Sequence, residues 1–343
     1  MGNIRNKVRV GLIGLGYWGP KLERNFANLP EVDFVMAVDK SLDRLAESTK
    51  IFPSIKTSQN SDDLMDGSVD AVVIATPVRT HYKLAKRALL AEKHVMVEKP
   101  ITMNSTQASE LLSIAKEKNL KLMVGHTFEY NPAVEAVHKI IQSGELGDIY
   151  YINSTRVNLG LLQADINVMW DLAPHDLSIL CFLLEENPEK VSAIGSNFVN
   201  RQSKYEEVVY MTLKFKSGIL ANLRVSWLDP VKQRSTTIVG SKKMLVYDDI
   251  SDSKVMIFDK GVEVPPYSVT PEEFRASYRY GEGIPYPVAW EEPLRVECSH
   301  FINCILYNQE PRSNGDDGLR VVKILETAQR SIENDGVELR IEY

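Results

Sequence analysis

Short apolar runs separated by helical periodicity fill the first third of the chain. VRVGLIG (8–14), VDFVMAVD (32–39), VDAVVIATP (69–77), HVMVEKP (94–100) and KLMVGHT (121–127) are apolar almost throughout. A strand covered on both faces needs that composition. Between the runs, Leu22, Phe26 and Leu29 recur at helical spacing, as do the apolar positions of THYKLAKRALLAEK and NSTQASELLSIAKEKN. Strands alternating with helices predict an α/β fold with a doubly wound parallel sheet.

After residue 128 the rhythm changes. DIYYINSTRVNLG, KVSAIGSNFV, EEVVYMTLKFKSGILANLRVSWL, RSTTIVG and KMLVYDD are consecutive strand candidates, with a hairpin turning at Lys216-Ser217-Gly218. A helix starting near Asp171 interrupts them. Helical patterns at 293–307 and 316–334 close the chain, and 259–292 reads as one long irregular segment. The expected organisation is a Rossmann domain over 1–127. An α+β domain over 128–343 follows, with a large, mostly antiparallel open sheet for substrate binding and oligomerisation.

Composition narrows the function classes. At about 150 residues per domain, 343 residues make two domains. A net charge of −6 gives no electrostatic case for nucleic acid. The longest apolar runs fall far short of the roughly 18 residues that cross a bilayer. The opening MGNIRNKVRV lacks the apolar core of a signal peptide. Three cysteines without a C-x-x-C pair indicate a reducing, cytoplasmic setting and no structural metal.

The clearest chemistry sits at the end of the first strand. Gly14-x-Gly16-x-x-Gly19, with Leu15, Tyr17 and Trp18 between, joins strand to helix. The first glycine allows a tight turn, the second lets backbone N–H groups approach a pyrophosphate, and the third lets helix and strand pack closely. Asp39, twenty residues after Gly19, ends the second strand. An acid there bonds the adenosine ribose and repels a 2′-phosphate, so NAD rather than NADP is expected. Ala75, Thr76 and Pro77 close the next strand and would line the nicotinamide half. His81 either joins them or is an exposed residue at a helix start. Glu98 and Lys99 end another strand, where Lys99 would reach a substrate hydroxyl, and Pro100 fixes the backbone after it. His126 would approach the nicotinamide. In WDLAPHD, Asp171 and His175 stand one helical turn apart and share a face.

GLIGLGYWG, ATP, EKP, GHTFEYNPAV and WDLAPHD, in this order, resemble the glucose–fructose oxidoreductase/inositol dehydrogenase/MocA family over essentially the whole chain. The resemblance implies pyridine-nucleotide-dependent oxidation or reduction of a sugar or cyclitol. It carries the family's catalytic lysine onto Lys99 and its D-x-x-x-H pair onto Asp171 and His175. His175 would act as general base or acid, with Asp171 orienting it. The likeness is greatest to the branch acting on nucleotide-linked amino sugars, which implies oxidation at C3 of UDP-N-acetylglucosamine or its uronic acid. At Tyr130 the chain departs from an arginine often present in the family.

Other candidates are open to two readings. Arg156 and Asn158 lie where a substrate could rest. Trp170 either packs on a sugar ring or is core. Arg275, Tyr278 and Arg279 either grip a diphosphate and stack on a uracil, or form a subunit contact. A homodimer or homotetramer through the second sheet is expected, with no nucleic-acid or membrane partner. The alternatives to a nucleotide-sugar dehydrogenase are a free cyclitol or monosaccharide dehydrogenase, a keto-sugar reductase, and a non-catalytic dinucleotide sensor.

Overall fold

The computed structural model describes residues 7–264 and 276–343. Two compact units divide the chain: residues up to Tyr130 with Glu291–Lys323, and Asn131–Trp290 with Ile324–Tyr343.

In the first unit, β1 (Val8–Ile13), α1 (Gly19–Ala27), β2 (Val32–Val38), α2 (Leu42–Ile51), β3 (Lys56–Ser58), β4 (Ala71–Ile74), α3 (His81–Leu90), β5 (His94–Glu98), α4 (Ser105–Glu117) and β6 (Leu122–Gly125) alternate. The six strands are parallel, in the order β3-β2-β1-β4-β5-β6. Val10, Leu12, Val72, Ile74, Val95 and Val97 have no more than traces of exposure, as a sheet covered on both faces requires. Helix starts are set locally: Ser41 accepts from the Arg44 N–H, and Asn104 from the Gln107 N–H. The edge strand β3 has no counterpart in the sequence reading. Its three residues, Lys-Thr-Ser, carry no apolar signal, and β2 is the strand that pairs with it.

The second unit opens with α5 (Pro132–Gln142), capped by Asn131. Then come β7 (Ile149–Leu159), α6 (Val168–Leu184), β8 (Pro188–Ser196), β9 (Val208–Phe215), β10 (Leu220–Ser226), β11 (Leu228–Gly240), β12 (Met244–Asp248), β13 (Val255–Glu263) and β14 (Ser277–Pro285). The chain continues through α7 (Pro293–Leu306) and α8 (Gly315–Ile332) to β15 (Leu339–Arg340). Among the described residues, nine strands form one sheet in the order β14-β13-β12-β11-β7-β10-β9-β8-β15, antiparallel except for β7–β10. Alternation puts Val209, Met211 and Leu213 of β9, with Ala221, Leu223 and Val225 of β10, on the buried face. There α6 packs over β7, β9 and β10.

Two expectations need correction. A single cut at residue 127 misses the return of 291–323 to the first unit. The cause is the apolar stripe of α7, where Leu294, Cys298, Phe301 and Ile302 are buried in the core that also contains Leu22 and Phe26 of α1. Phe301 meets Phe26 edge to face. Burying one such side chain contributes about 1.5–3 kcal/mol. The segment 259–292 is not one irregular loop either. Its ends pair as β13 and β14, with Lys260 opposite Tyr280 and Val262 opposite Tyr278. Exposed tyrosine, arginine and glycine there give no apolar alternation to read.

Candidate active site

The strand order of the first sheet reverses between β1 and β4, which places a crevice beyond the strands' C-terminal ends. Gly14 has φ +100°, and a Cβ there would fall 2.5 Å from the Ala75 carbonyl oxygen and 2.8 Å from the Thr76 side chain. The glycine turn and the loop after β4 therefore touch. A Cβ on Gly16 would meet nothing within 4 Å, so space stands open beside that backbone. A Cβ on Gly19 would lie 2.1 Å from the Gly14 oxygen, which makes glycine obligatory for this helix–strand approach. Trp18, at the N-cap of α1, gives the first turn no side-chain acceptor, and no acidic residue lies in that turn. Its N–H groups and dipole favour an anion. The Lys21 ammonium sits 3.4 Å from the centroid of the exposed Tyr17 ring. Leu15 is buried in the core, and its N–H donates to Asp39 Oδ2 at 2.7 Å. Asp39 Oδ1 accepts from the Ser41 N–H at 2.8 Å. These bonds fix a carboxylate at the end of β2, where it would meet the adenosine ribose.

The loops after β4, β5 and β6 leave the same C-terminal end of the sheet. Pro77 is exposed, while Ala75 and Thr76 are half-buried, with Thr76 Oγ1 2.7 Å from Thr80 Oγ1. His81 is fully buried and not the exposed helix-start residue of one reading. Its Nδ1 lies 2.9 Å from the Pro100 oxygen and its Nε2 2.7 Å from the Thr76 oxygen. The ring ties two crevice loops together through their backbones. Burial holds it below its ordinary pKa, against the two carbonyl bonds. Lys99 is half-buried, and its peptide to Pro100 is cis. Glu98 is enclosed, pushed by burial to about 7, with the Lys99 and Lys21 charges opposing. His126 is 1 % exposed, and among the described residues neither ring nitrogen has a hydrogen-bond partner. Burial, then the charges of Lys99 and Arg320, lowers it to about 3, so it is neutral at working pH. Orphaned polar atoms on Glu98 and His126, an anion-ready helix start and a glycine cradle together fit a dinucleotide.

In the second unit, α6 starts at Asn167, whose side chain accepts from the Trp170 N–H. Asp171 and His175 are both half-buried on this helix, one turn apart. Sequence reading missed Trp227, whose indole N–H donates to Asp171 Oδ2 at 3.2 Å. The chain at Gly160 bonds the Trp227 carbonyl, and the Asn158 amide lies close by. Replacing Trp227 with phenylalanine should remove a hydrogen bond to a charged group, worth about 1.5–3 kcal/mol, and lower kcat about tenfold or more. NAD affinity should hold, because the glycine turn and Asp39 belong to the first unit. Unchanged kcat would show that this bond does not orient Asp171.

Other expected substrate residues are occupied elsewhere. Arg156 is buried and grips Asp176, with Nε 2.6 Å from Oδ2 and Nη2 3.3 Å from Oδ1. Ser154 adds a bond to the same carboxylate at 2.8 Å. Arg156 thus joins β7 to α6, which corrects its reading as a substrate ligand. Trp170 is buried, as core residues are. Arg279 bonds Asp259, Glu263 and the Lys242 carbonyl, so its guanidinium is held by its own sheet. Tyr278 stacks on Tyr280 in the open. Arg275 lies outside the described residues. Sequence reading also missed Arg312, which lies over the Tyr130 ring and donates to the Glu129 carbonyl. Among the described residues, no group of three His, Cys, Asp or Glu could hold a metal ion. Nor is any helix there long and apolar enough to cross a membrane.

A parallel sheet in this order, with its glycine turn and the acid that ends β2, defines a dinucleotide-binding protein. Residues 8–126 match the NAD-binding Rossmann fold of the Gfo/Idh/MocA oxidoreductase family, and residues 134–246 match that family's C-terminal domain. The chain belongs to this oxidoreductase family, and NAD is its cofactor. It is 27% identical to the UDP-N-acetylglucosamine 3-dehydrogenase of Acidithiobacillus ferrooxidans over 92% of this chain and 94% of that one. It is 23% identical to the myo-inositol 2-dehydrogenase of Thermotoga maritima over 95% and 96%. The WlbA dehydrogenase of Bordetella pertussis, solved with NADH and UDP-GlcNAcA, shares the fold at a TM-score of 0.82 and 19% identity, covering 97% and 98% of the two chains.

Proposed function

We propose that this NAD-dependent oxidoreductase oxidises the C3 hydroxyl of a UDP-linked amino sugar, UDP-N-acetylglucosamine or its uronic acid, to a ketone. The observation that carries the chemistry is the Asp171–His175 pair on one face of α6, with Asp171 oriented by Trp227. The relative from Acidithiobacillus ferrooxidans supports the choice of sugar. Bound NAD supplies the hydride acceptor. His175 takes the hydroxyl proton, Asp171 orients and stabilises the charged imidazole, and Lys99 serves the substrate as a hydrogen-bond donor. Gly14, Gly16, Gly19 and Asp39 hold the cofactor, and Ala75, Thr76, Glu98 and His126 surround its nicotinamide end.

The test is a panel of UDP- and dTDP-sugars with free myo-inositol and glucose, scored for NADH formation and for a keto product by mass. UDP-amino sugars should turn over with the highest kcat/KM. Turnover of myo-inositol alone would replace this substrate with a free cyclitol.

We also propose that the outer face of the nine-stranded sheet pairs with a second copy. Tyr151, Ile194, Tyr210 and Leu220 are exposed there around the polar ladder Thr212–Asn222–Asn153. Sheet faces of this kind associate by packing. Light scattering should give a dimer or tetramer mass, and a monomer mass at micromolar concentration would refute this.

A further inference from the structure

The turn of α6 that carries Asp171 gets little support from its own helix. Its first N–H groups have no partner within the helix, as at any helix start. Pro174, inside the same helix, has no N–H to offer the Trp170 carbonyl. Other elements of the second unit supply what is missing. The Val168 N–H donates to the Glu206 carbonyl at 3.0 Å. Asn167 is 3 % exposed, and its side-chain oxygen accepts from the Trp170 N–H at 3.0 Å. Its amide nitrogen donates to Glu206 Oε2 at 2.5 Å and to Gln329 Oε1 at 2.8 Å. Gln329 lies on α8, and its own amide nitrogen donates to Glu333 Oε1 at 3.4 Å, which leaves the oxygen for Asn167. Glu206 stands just before β9, with its stem against Gly195 of β8, where a Cβ would fall 2.7 Å from Glu206 Cγ. The carbonyl of the next residue, Glu207, accepts from the Trp227 N–H at 3.0 Å.

We propose that Asn167, clamped between Glu206 and Gln329, is a positioning residue for the reaction: it holds the first turn of α6 so that Asp171 stays bonded to the Trp227 indole. This rests on the reading of Asp171 and His175 as the acid–base pair. Glu206 and Glu207 are adjacent, so one dipeptide carries both partners of the Asp171–Trp227 bond. Glu206 holds the helix start, and Glu207 holds the backbone of the tryptophan. A helix cap needs only an acceptor for the Trp170 N–H. The two bonds from the Asn167 amide nitrogen add nothing to the cap; they tie the helix to the start of β9 and to α8.

Capping and clamping can be separated by substitution. Asn167→Asp keeps the cap, because a carboxylate at a helix start accepts from the Trp170 N–H and suits the helix dipole. It replaces the amide donor with a negative oxygen facing the Glu206 carboxylate and the Gln329 oxygen. In the full-length protein with NAD and the sugar, kcat should fall about ten- to hundredfold, the size of effect that a small misplacement of a reacting group produces. NAD affinity should hold. Glu206→Ala should lower kcat in the same way, whereas Glu206→Gln, whose amide oxygen still accepts from Asn167, should keep most of it. Asn167→Asp combined with Glu206→Gln should recover turnover, because donor and acceptor have then changed sides.

Backbone hydrogen exchange over 167–175 gives a second readout that needs no substrate. It should quicken about tenfold in Asn167→Asp, return to the wild-type rate in the double variant, and stay unchanged in α7 of the first unit. If Asn167→Asp does not fold, Glu206→Ala against Glu206→Gln decides the matter. Wild-type kcat in Asn167→Asp would reduce Asn167 to a cap and overturn the proposal. So would a lowered Tm with unchanged kcat, or a double variant no better than Asn167→Asp. Wild-type exchange over 167–175 in Asn167→Asp would overturn the clamp itself. Wild-type turnover in His175→Ala, or a wild-type protein that oxidises no sugar, would instead remove the reading of the pair, and the exchange rates alone would then decide the clamp.

Discussion

Replacing His175 with alanine is expected to lower kcat for sugar oxidation about a hundred- to ten-thousandfold, the usual contribution of a positioned general base. NAD affinity should stay at the wild-type value, because the glycine turn, Asp39 and the loops after β4, β5 and β6 lie in the first unit. Lys99→Ala should also lose turnover, by less if its role is to donate a hydrogen bond and not to accept the proton. The measurement is steady-state kinetics beside NAD titration. Near wild-type kcat in His175→Ala would remove the pair on α6 from the chemistry.

The second large effect concerns stability. Arg156→Leu leaves Asp176 buried without its bidentate partner, with Ser154 as its remaining side-chain donor from β7. Breaking a buried pair by removing one member costs about 3–5 kcal/mol. For a unit of this size that is a fall in Tm of roughly 6–20 °C. KM for the sugar should be nearly unchanged in the protein that remains folded. A large rise in KM with no loss of Tm would make Arg156 a substrate ligand and contradict the pairing.

Arg156 also shows where reading a sequence stops. In STRVNLG the arginine looked available, because its partner is 20 residues away on a helix whose packing no local pattern reveals. Asp171 and His175 were legible because helical spacing is local. Gly14, Gly16, Gly19 and Asp39 were legible because the strand–turn–helix context is local too. The apolar strands of the first sheet were readable for the same reason. The polar edge strand β3 was not, since only its neighbour defines it. The return of α7 to the first unit was not legible either, because sequence order hides which core its buried face joins. Trp227 was missed because a tryptophan at a strand end usually packs in a core, and this one is buried there while bonding Asp171.

The most direct measurement uses UDP-N-acetylglucosamine and its uronic acid, each labelled with deuterium at C3, incubated with the protein and NAD. The account predicts a keto-sugar that has lost that one label, formed in step with reduced cofactor that carries the deuterium on its nicotinamide. A product that retains the C3 deuterium, or no product while NAD binds normally, would contradict it.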